Sequence, residues 1–138
     1  MNPIKEHELN QGRKRVDIKF TNAAEVGFFR RMADSANTRS LNVFIECKNY
    51  SNDLGNPEID QLLTRLDLRR GKIGFVLCRA LVNDQLMLER CRDAARSDQG
   101  FVIVLTDDRV QRILNFVAEG KRDNISNYLF GLFAELTD

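Results

Sequence analysis

The amino-acid sequence predicts an α/β fold, a three-layer sandwich in which helices cover both faces of a mixed central sheet. Short segments rich in Val, Ile and Phe alternate along the chain with longer segments in which apolar residues recur at helical spacing. Residues 101–105 contain no polar side chain, which is typical of a parallel strand buried on both faces. With 138 residues the chain can bury one hydrophobic core, so we predict a single domain over residues 1–138.

The strands are predicted from alternation and from their β-branched and aromatic content. They lie at residues 16–20, 43–48, 72–78 and 101–105. In the first of them the apolar side chains share one face and Asp17 lies on the other. Strands separated by helical segments in this order build a mixed sheet.

The helices are predicted from apolar stripes and from end signals. Residues 3–10 are interpreted as the end of a helix, and further helices are expected at residues 23–35, 57–70, 84–96, 106–117 and 125–136. Pro57 suits a first helical position, Gly71 should break that helix, and Thr106 or Asp107 can cap a later one. The side chains expected to face the core from the helices at 84–96 and 106–117 are Leu86, Leu88, Cys91, one of Ala94 and Ala95, Val110, Ile113, Leu114 and Val117.

The composition excludes several classes of site. A net charge of +1 does not fit a histone-like polycation, and the three cysteines lack metal-ligand spacing, so they are interpreted as reduced core residues. Because His7 is the only histidine, a Cys/His zinc site or a Ser-His-Asp triad is hard to build. No apolar run has the length of a membrane span and no signal peptide is evident, so we expect a soluble, cytoplasmic protein with no membrane partner.

The segment 43–48 carries the strongest functional signal. Val43, Ile45 and Cys47 alternate with Phe44, Glu46 and Lys48, so the carboxylate and the ammonium share one face of a buried strand. Two charges at the end of an apolar strand are typical of a site. The alternative is a solvated ion pair at a strand end.

Asp17 supplies a second carboxylate on a strand that should lie beside the first. Two converging carboxylates can hold Mg²⁺, and the bound metal polarises a phosphodiester and acidifies a water molecule. Lys48 can orient or deprotonate that water. The main-chain carbonyl of Cys47 is a further candidate ligand, whereas its thiol should face the core.

At these residues the chain resembles the restriction-endonuclease-like superfamily, the PD-(D/E)xK nucleases. Asp17 matches the first acidic position of the motif, and Glu46 with Lys48 matches the (D/E)xK element. Many members carry a glutamine on the next helix, and Gln61 fits that place. Val16 departs from the pattern, because it stands where proline gives the motif its name.

The resemblance also bears on the N-terminal segment. It runs from about residue 6 to the strand at 101–105, and some members use a glutamate on an N-terminal helix. Glu6 and Glu8 are both candidates for that glutamate, and the choice between them stays open.

The resemblance implies a divalent-metal-dependent endonuclease, a hydrolase of phosphodiester bonds that uses Mg²⁺ and also accepts Mn²⁺. DNA is favoured over RNA as the substrate. The chain has no evident target-recognition domain, so it is expected to be the catalytic part of a larger protein, a subunit of a larger complex, or a homodimer. The alternatives are an inactive nuclease-like module that binds nucleic acid, or a protein-interaction domain in which the Glu46–Lys48 pair is structural.

Basic clusters are candidates for contact with phosphates. They lie at residues 13–15, 30–31, 69–72 and 121–122. Only Arg13, Lys14 and Arg15 are predicted to bind nucleic acid, because they adjoin Asp17. The other clusters are interpreted as solvated surface. Asp107 and Asp108 form a rival acidic site at a strand end, but a role at a helix start is favoured for them.

Overall fold

The computed structural model describes the backbone of residues 3–7, 15–48 and 56–137, and the side chains of residues 18–48 and 59–137. These ranges hold five strands and five helices. The strands are β1 (Pro3–His7), β2 (Arg15–Thr21), β3 (Asn42–Lys48), β4 (Ile73–Leu77) and β5 (Phe101–Leu105). The helices are α1 (Gly27–Asp34), α2 (Asn56–Leu63), α3 (Asp84–Arg96), α4 (Asp107–Ala118) and α5 (Arg122–Thr137).

The strands form one mixed sheet in the order β1-β2-β3-β4-β5. The pairs β1–β2 and β2–β3 are antiparallel, whereas β3–β4 and β4–β5 are parallel. Helix α2 connects β3 to β4, and α3 connects β4 to β5. The predicted α/β class with a mixed central sheet is therefore confirmed.

Helices cover both faces of this sheet. On one face the ring of Phe28 in α1 packs edge-on against Phe130 of α5, and the ring of Phe29 lies 6.0 Å from that of Phe75 in β4. Phe28 is buried and belongs to the hydrophobic core. On the other face Leu62 of α2 lies against β4, where a Cβ added to Gly74 would come within 3.0 Å of the leucine side chain.

Helix α3 shares the face of α2. Both parallel connections cross the sheet in the same direction, and right-handed crossovers then place both helices on one side. A groove between them is lined by Ile59 and Leu63 from α2 and by Arg90 and Ala94 from α3. The layers are thus α1 and α5, the sheet, and α2 with α3.

The N-terminal segment is a strand, and the prediction of a helix end at residues 3–10 is wrong. Residues Pro3–His7 pair with β2 at the edge of the sheet. An edge position accepts a proline at the first residue of a strand, and it accepts charged side chains. Backbone pairing with β2 therefore outweighs the weak helical pattern of this segment.

Helix α2 ends earlier than predicted, at Leu63 and not at Gly71. Asp67 competes with helix continuation, because its side chain accepts hydrogen bonds from the backbone N–H groups of Arg69 and Arg70, 2.9 and 2.7 Å away. Gly71 belongs instead to a turn whose ends pair at Asp67 and Gly71. Its φ is +129° and an added Cβ would lie 2.7 Å from the Asn42 carbonyl oxygen, so glycine is required there.

Helix α3 has the predicted bounds, with Asn83 as its cap, but the prediction that Leu86 faces the core is wrong. The side chain of Asn83 accepts a hydrogen bond from the N–H of Leu86, and Leu86 itself is 43% exposed. The buried stripe consists of Met87, Cys91 and Ala94, which follow one another at helical spacing.

Helix α4 departs most from the predicted burial. None of its residues is buried, and Leu114 and Val117 are 53% and 58% exposed. The helix lies beside α5, with the Phe116 and Tyr128 ring centroids 6.4 Å apart. A helix in that position leaves part of its apolar stripe in solvent.

Helix α5 contains a glycine that we expect to be replaceable with a gain in stability. Among the described residues, no atom lies within 4 Å of a Cβ added at Gly131, and this glycine lies inside a 16-residue helix. Gly131→Ala should therefore raise the free energy of unfolding by about 0.5–1 kcal/mol, because alanine has the higher helix propensity. Urea unfolding of the parent and the variant measures the change.

The matched control for Gly131→Ala is Gly27→Ala. Gly27 has φ +81°, and an added Cβ would lie 2.5 Å from Ser126 Oγ. This second variant should lose stability. A loss of stability in Gly131→Ala as well would mean that the glycine has a role that the helix geometry does not explain.

Candidate active site at the end of strand β3

Strand β3 places a carboxylate and an ammonium side by side in the interior. Glu46 and Lys48 share a face with Phe44, and both charged residues are buried, Glu46 with 0% of its surface exposed. Helix α2 lies on this face of the sheet, where its Leu62 packs against Gly74, the register partner of Phe44. The alternative of a solvated ion pair at a strand end is thus wrong, because both side chains are buried.

The two charges form a close ion pair. The Lys48 Nζ atom lies 3.6 Å from Glu46 Oε1. This distance is longer than the 2.7–2.9 Å that is usual for a charge-assisted hydrogen bond. Burying two charges costs free energy that their attraction only partly offsets, and good geometry is needed to recover it. The pair is therefore an unusual feature among buried side chains that are mostly apolar.

The sheet register brings the predicted acidic residues into one row. Asp17 of β2 is the register partner of Glu46, and Glu6 of β1 is the register partner of Asp17. Directly opposite residues in an antiparallel pair share a face, with Cα atoms about 4.5–5.5 Å apart. Three acidic residue types thus occupy adjacent positions across β1, β2 and β3.

This row distinguishes the two N-terminal glutamates. Glu6 lies on strand β1 beside Asp17, and not on a helix as the resemblance implied. Glu8 lies outside the described residues. Sequence reasoning missed the strand, because Lys5, Glu6 and His7 are all polar and show no alternation of apolar and polar residues.

The described side chains alone do not make a metal site. Among residues 18–48 and 59–137, no group of three His, Cys, Asp or Glu side chains lies close enough to hold a metal ion. The side chains of Asp17 and Glu6 lie outside those ranges. A site at Glu46 would have to be completed by them or by main-chain oxygens.

Gln61 lies on α2, the helix that packs near β4 and β5. It is exposed, whereas Ile59 and Leu62 on either side of it along α2 are buried. Leu63, which lines the groove toward α3, lies roughly opposite Gln61 around the helix. Gln61 therefore faces away from α3, on the exposed side of α2.

The basic segment of residues 13–15 is described only at Arg15. Arg15 opens β2 at the register position of Lys48. Arg13 and Lys14 lie outside the described residues. The rival acidic pair, Asp107 and Asp108, is exposed in the first turn of α4, which agrees with a role at the helix start.

The three cysteines are free, as predicted. Cys47 is half-buried and alternates with Glu46 and Lys48, so its side chain belongs to the opposite face of the sheet. Cys91 is buried in α3, and this burial raises the pKa of its thiol from 9.0 to about 11. Such a thiol stays protonated and unreactive at neutral pH.

The raised pKa of Cys91 predicts a loss of stability in alkali. Because the folded state holds the thiol proton more tightly, the stabilisation is complete below pH 9 and is lost as the pH rises toward 11. A pKa difference of this size corresponds to about 2–3 kcal/mol. We expect the free energy of unfolding to fall between pH 8 and pH 10.5, and to fall less in Cys91→Ala than in the parent. Urea unfolding at the two pH values measures both changes.

The control for this pH dependence is Met87→Ala, which removes a buried neighbour on the same helix that does not titrate. Its destabilisation should be the same at both pH values. If the difference in the free energy of unfolding between the parent and Cys91→Ala is also independent of pH, ionisation of the Cys91 thiol does not cause the loss of stability in alkali.

Comparisons with protein-family models, with curated proteins and with solved structures gave no match. Among the described residues, no helix combines the length and the hydropathy needed to cross a bilayer. The functional proposal therefore depends on the geometry of β3 and its neighbours.

Proposed function

We propose that this chain is a divalent-metal-dependent nuclease of the PD-(D/E)xK type, with DNA as its favoured substrate. The observation that carries the proposal is the register of β2 against β3, in which Asp17 is opposite Glu46 and Lys48 follows two residues later. This is the constellation on which the resemblance to the restriction-endonuclease-like superfamily depends. The α/β sandwich with a mixed sheet agrees with that superfamily's architecture.

Asp17 and Glu46 would hold the metal, with the main-chain carbonyl of Cys47 as a further ligand. Like charges directly opposite one another on two strands are destabilising unless something compensates them. A divalent cation would compensate them, and Mg²⁺ and Mn²⁺ both accept oxygen ligands of this kind. Bound there, the metal would polarise the scissile phosphodiester and acidify a water molecule. Glu6 would join the site from β1.

Lys48 would act on the attacking water or on the phosphate. Its Nζ atom is 3.6 Å from Glu46 Oε1, so it would stand beside any group that the carboxylate holds. As an ammonium group it would donate a hydrogen bond to the water or to a phosphoryl oxygen, and only as the neutral amine would it take up a proton from the water. Gln61 would steady the substrate from α2.

A second candidate function is supported by the burial of the ion pair. A Glu46–Lys48 pair that is closed and buried is also what a structural pair in an inactive nuclease-like module would show. Such a module would bind nucleic acid or a protein partner without cutting. Cleavage separates the two functions.

The deciding experiment incubates the protein with labelled single-stranded, duplex and branched DNA, and with RNA, in Mg²⁺, in Mn²⁺ and in EDTA. We expect cleavage of DNA that EDTA abolishes. Absence of cleavage on every substrate, together with retained binding at low salt, would favour the inactive module. Absence of both would favour the protein-interaction domain.

The predicted phosphate contact at Arg13, Lys14 and Arg15 has its own test. Replacing all three with Gln should weaken binding to every DNA sequence alike. It should also flatten the plot of log K against log salt concentration by about one unit per lost contact. Fluorescence anisotropy over a range of salt concentrations measures the slope. An unchanged slope would place the nucleic-acid surface elsewhere.

A further inference from the structure

Two surface loops meet at the end of the sheet opposite to Lys48. One is the loop of residues 35–41, which leads into β3, and the other is the segment of residues 64–71, which leads into β4. Each exposes a leucine beside an arginine. We call the exposed residues Arg39, Leu41, Leu68 and Arg69 the arginine–leucine surface.

The two loops are joined by several short contacts. The backbone N–H and the side-chain amide of Asn42 both donate hydrogen bonds to the Arg70 carbonyl, at 3.0 and 2.9 Å. The N–H of Lys72 donates to the Thr38 carbonyl at 2.9 Å. The approach of the chains at Gly71 is too close for a side chain at that position. The surface is therefore held in one shape before any partner binds.

Hydrogen bonds inside the 64–71 segment also fix its conformation. Hydrogen bonds from the backbone of Arg70, from its guanidinium group and from the backbone of Arg69 lower the pKa of the Asp67 carboxyl below its usual value. The guanidinium group of Arg70 therefore binds within its own segment, and it also donates a hydrogen bond to the Thr64 carbonyl. Arg69, in contrast, makes no side-chain hydrogen bond or ion pair with the part of the chain that the structure describes.

Arg39 has an unfavourable backbone conformation. Its φ is +37°, in the left-handed region that glycine and asparagine adopt most easily. The hydrogen bonds of Arg39 N–H to Ser35 and of Ser40 N–H to Met32 hold the loop there. A long, charged side chain at a position better suited to glycine indicates a use for that side chain. Within the described residues its guanidinium group has no partner.

The arginine–leucine surface combines exposed apolar side chains with exposed cations. Leu41 is 57% exposed and Leu68 is 48% exposed, and each is close in sequence to an arginine, Arg39 or Arg69, whose side chain has no partner among the described residues. Along β3 the surface lies about 20 Å from Lys48, since six residues separate Asn42 from Lys48 at about 3.3 Å each. A substrate centred on Lys48 would not be expected to contact it.

We propose that the arginine–leucine surface binds a partner protein through an acidic segment that carries apolar side chains. The two arginines supply charge complementarity for carboxylates, and the two leucines supply the apolar contact that a phosphate backbone would not use. Arginine is favoured at interfaces because its planar group can bind a carboxylate through two hydrogen bonds. This binding is separate from nuclease activity and does not depend on it.

The test uses a fluorescein-labelled 12-residue peptide of glutamate and leucine at helical spacing as the probe. Two further peptides, one with lysine for glutamate and one with serine for leucine, are its controls. We expect only the first peptide to bind the full chain. Both double variants, Arg39→Glu with Arg69→Glu and Leu41→Ser with Leu68→Ser, should weaken this binding at least tenfold.

A matched control makes the same changes of charge and hydrophobicity elsewhere. Leu114→Ser with Arg122→Glu alters two exposed residues of α4 and α5, and it should leave peptide binding unchanged. Arg39→Gly should keep or raise the melting temperature, because glycine adopts a positive φ without strain, and yet it should weaken the peptide binding. Together these results separate loss of a contact from loss of the fold.

Three outcomes would overturn the proposal. The parent chain could fail to bind the acidic leucine peptide, or the two double variants could bind it as tightly as the parent does. In the third outcome the charge variant would lose affinity for duplex DNA while the leucine variant kept it, which would make the surface a nucleic-acid contact. DNA cleavage, measured in parallel, should be unchanged in every variant of this surface.

Discussion

Replacing Lys48 with Ala should lower the single-turnover rate of DNA cleavage roughly 100- to 10,000-fold, the range typical for the loss of a general acid or base. Divalent-metal binding should be retained or improve, because a protonated lysine is not a ligand and its charge competes with the cation beside Glu46. Quenched-flow cleavage and calorimetric titration of Mn²⁺ measure the two effects. Lys48→Arg should not restore the rate well, because a guanidinium group stays protonated and has a different shape.

The control for Lys48→Ala is Lys72→Ala. Lys72 is also buried at the end of a strand, but its Nζ atom donates to the backbone carbonyl and the side chain of Asp98, at the other end of β4. Lys72→Ala should lower the free energy of unfolding, but the folded protein should cleave DNA at the parental rate. If Lys48→Ala cuts DNA at the parental rate, the proposed mechanism is wrong.

Replacing Glu46 with Leu should lower the free energy of unfolding by about 3–5 kcal/mol, because it removes the carboxylate beside a buried ammonium group. Adding Lys48→Met should recover much of that loss, since a buried ion pair can often be exchanged for apolar side chains at little cost. Urea unfolding of both single variants and the double variant gives the coupling energy of the pair.

The same variants test whether Glu46 binds the metal ion. Mn²⁺ at 100 times its dissociation constant should stabilise the parent by about 2.7 kcal/mol, because ligand binding to the folded state shifts unfolding. It should not stabilise the double variant. Glu89→Gln, which removes an exposed carboxylate from α3, should respond to Mn²⁺ as the parent does. An equal response in the double variant would exclude Glu46 as a ligand and favour the structural ion pair.

The parts of the fold that could be predicted from sequence are those with a strong local signal. The segment 101–105 has five apolar residues in succession, and α3 has a polar cap and a buried stripe, so the predicted bounds of both elements are confirmed. The alternation of residues in β3 was sufficient to predict that Glu46 and Lys48 share one face. Period-2 alternation needs no tertiary information.

The parts that could not be predicted depend on tertiary neighbours. Strand β1 forms because β2 offers a free edge, which no property of residues 3–7 alone reveals. The exposure of Leu114 depends on where α4 rests, since its spacing is the same in a helix that crosses a sheet and in one that lies beside α5. The adjacency of Asp17 and Glu46 was expected, but the place of Glu6 in the row required the register.

In the sheet formed by the described residues, strand β1 has one neighbour, and this determines how the acidic row can open. Releasing β1 breaks one ladder of hydrogen bonds, whereas releasing β3 breaks two. Local opening of an edge strand therefore needs less free energy than global unfolding, and it would carry Glu6 away from Asp17 while leaving Glu46 in place. A cation bridging the row would oppose that opening. Slower amide hydrogen exchange in β1 on addition of Mn²⁺ would then report occupancy of the site without any cleavage.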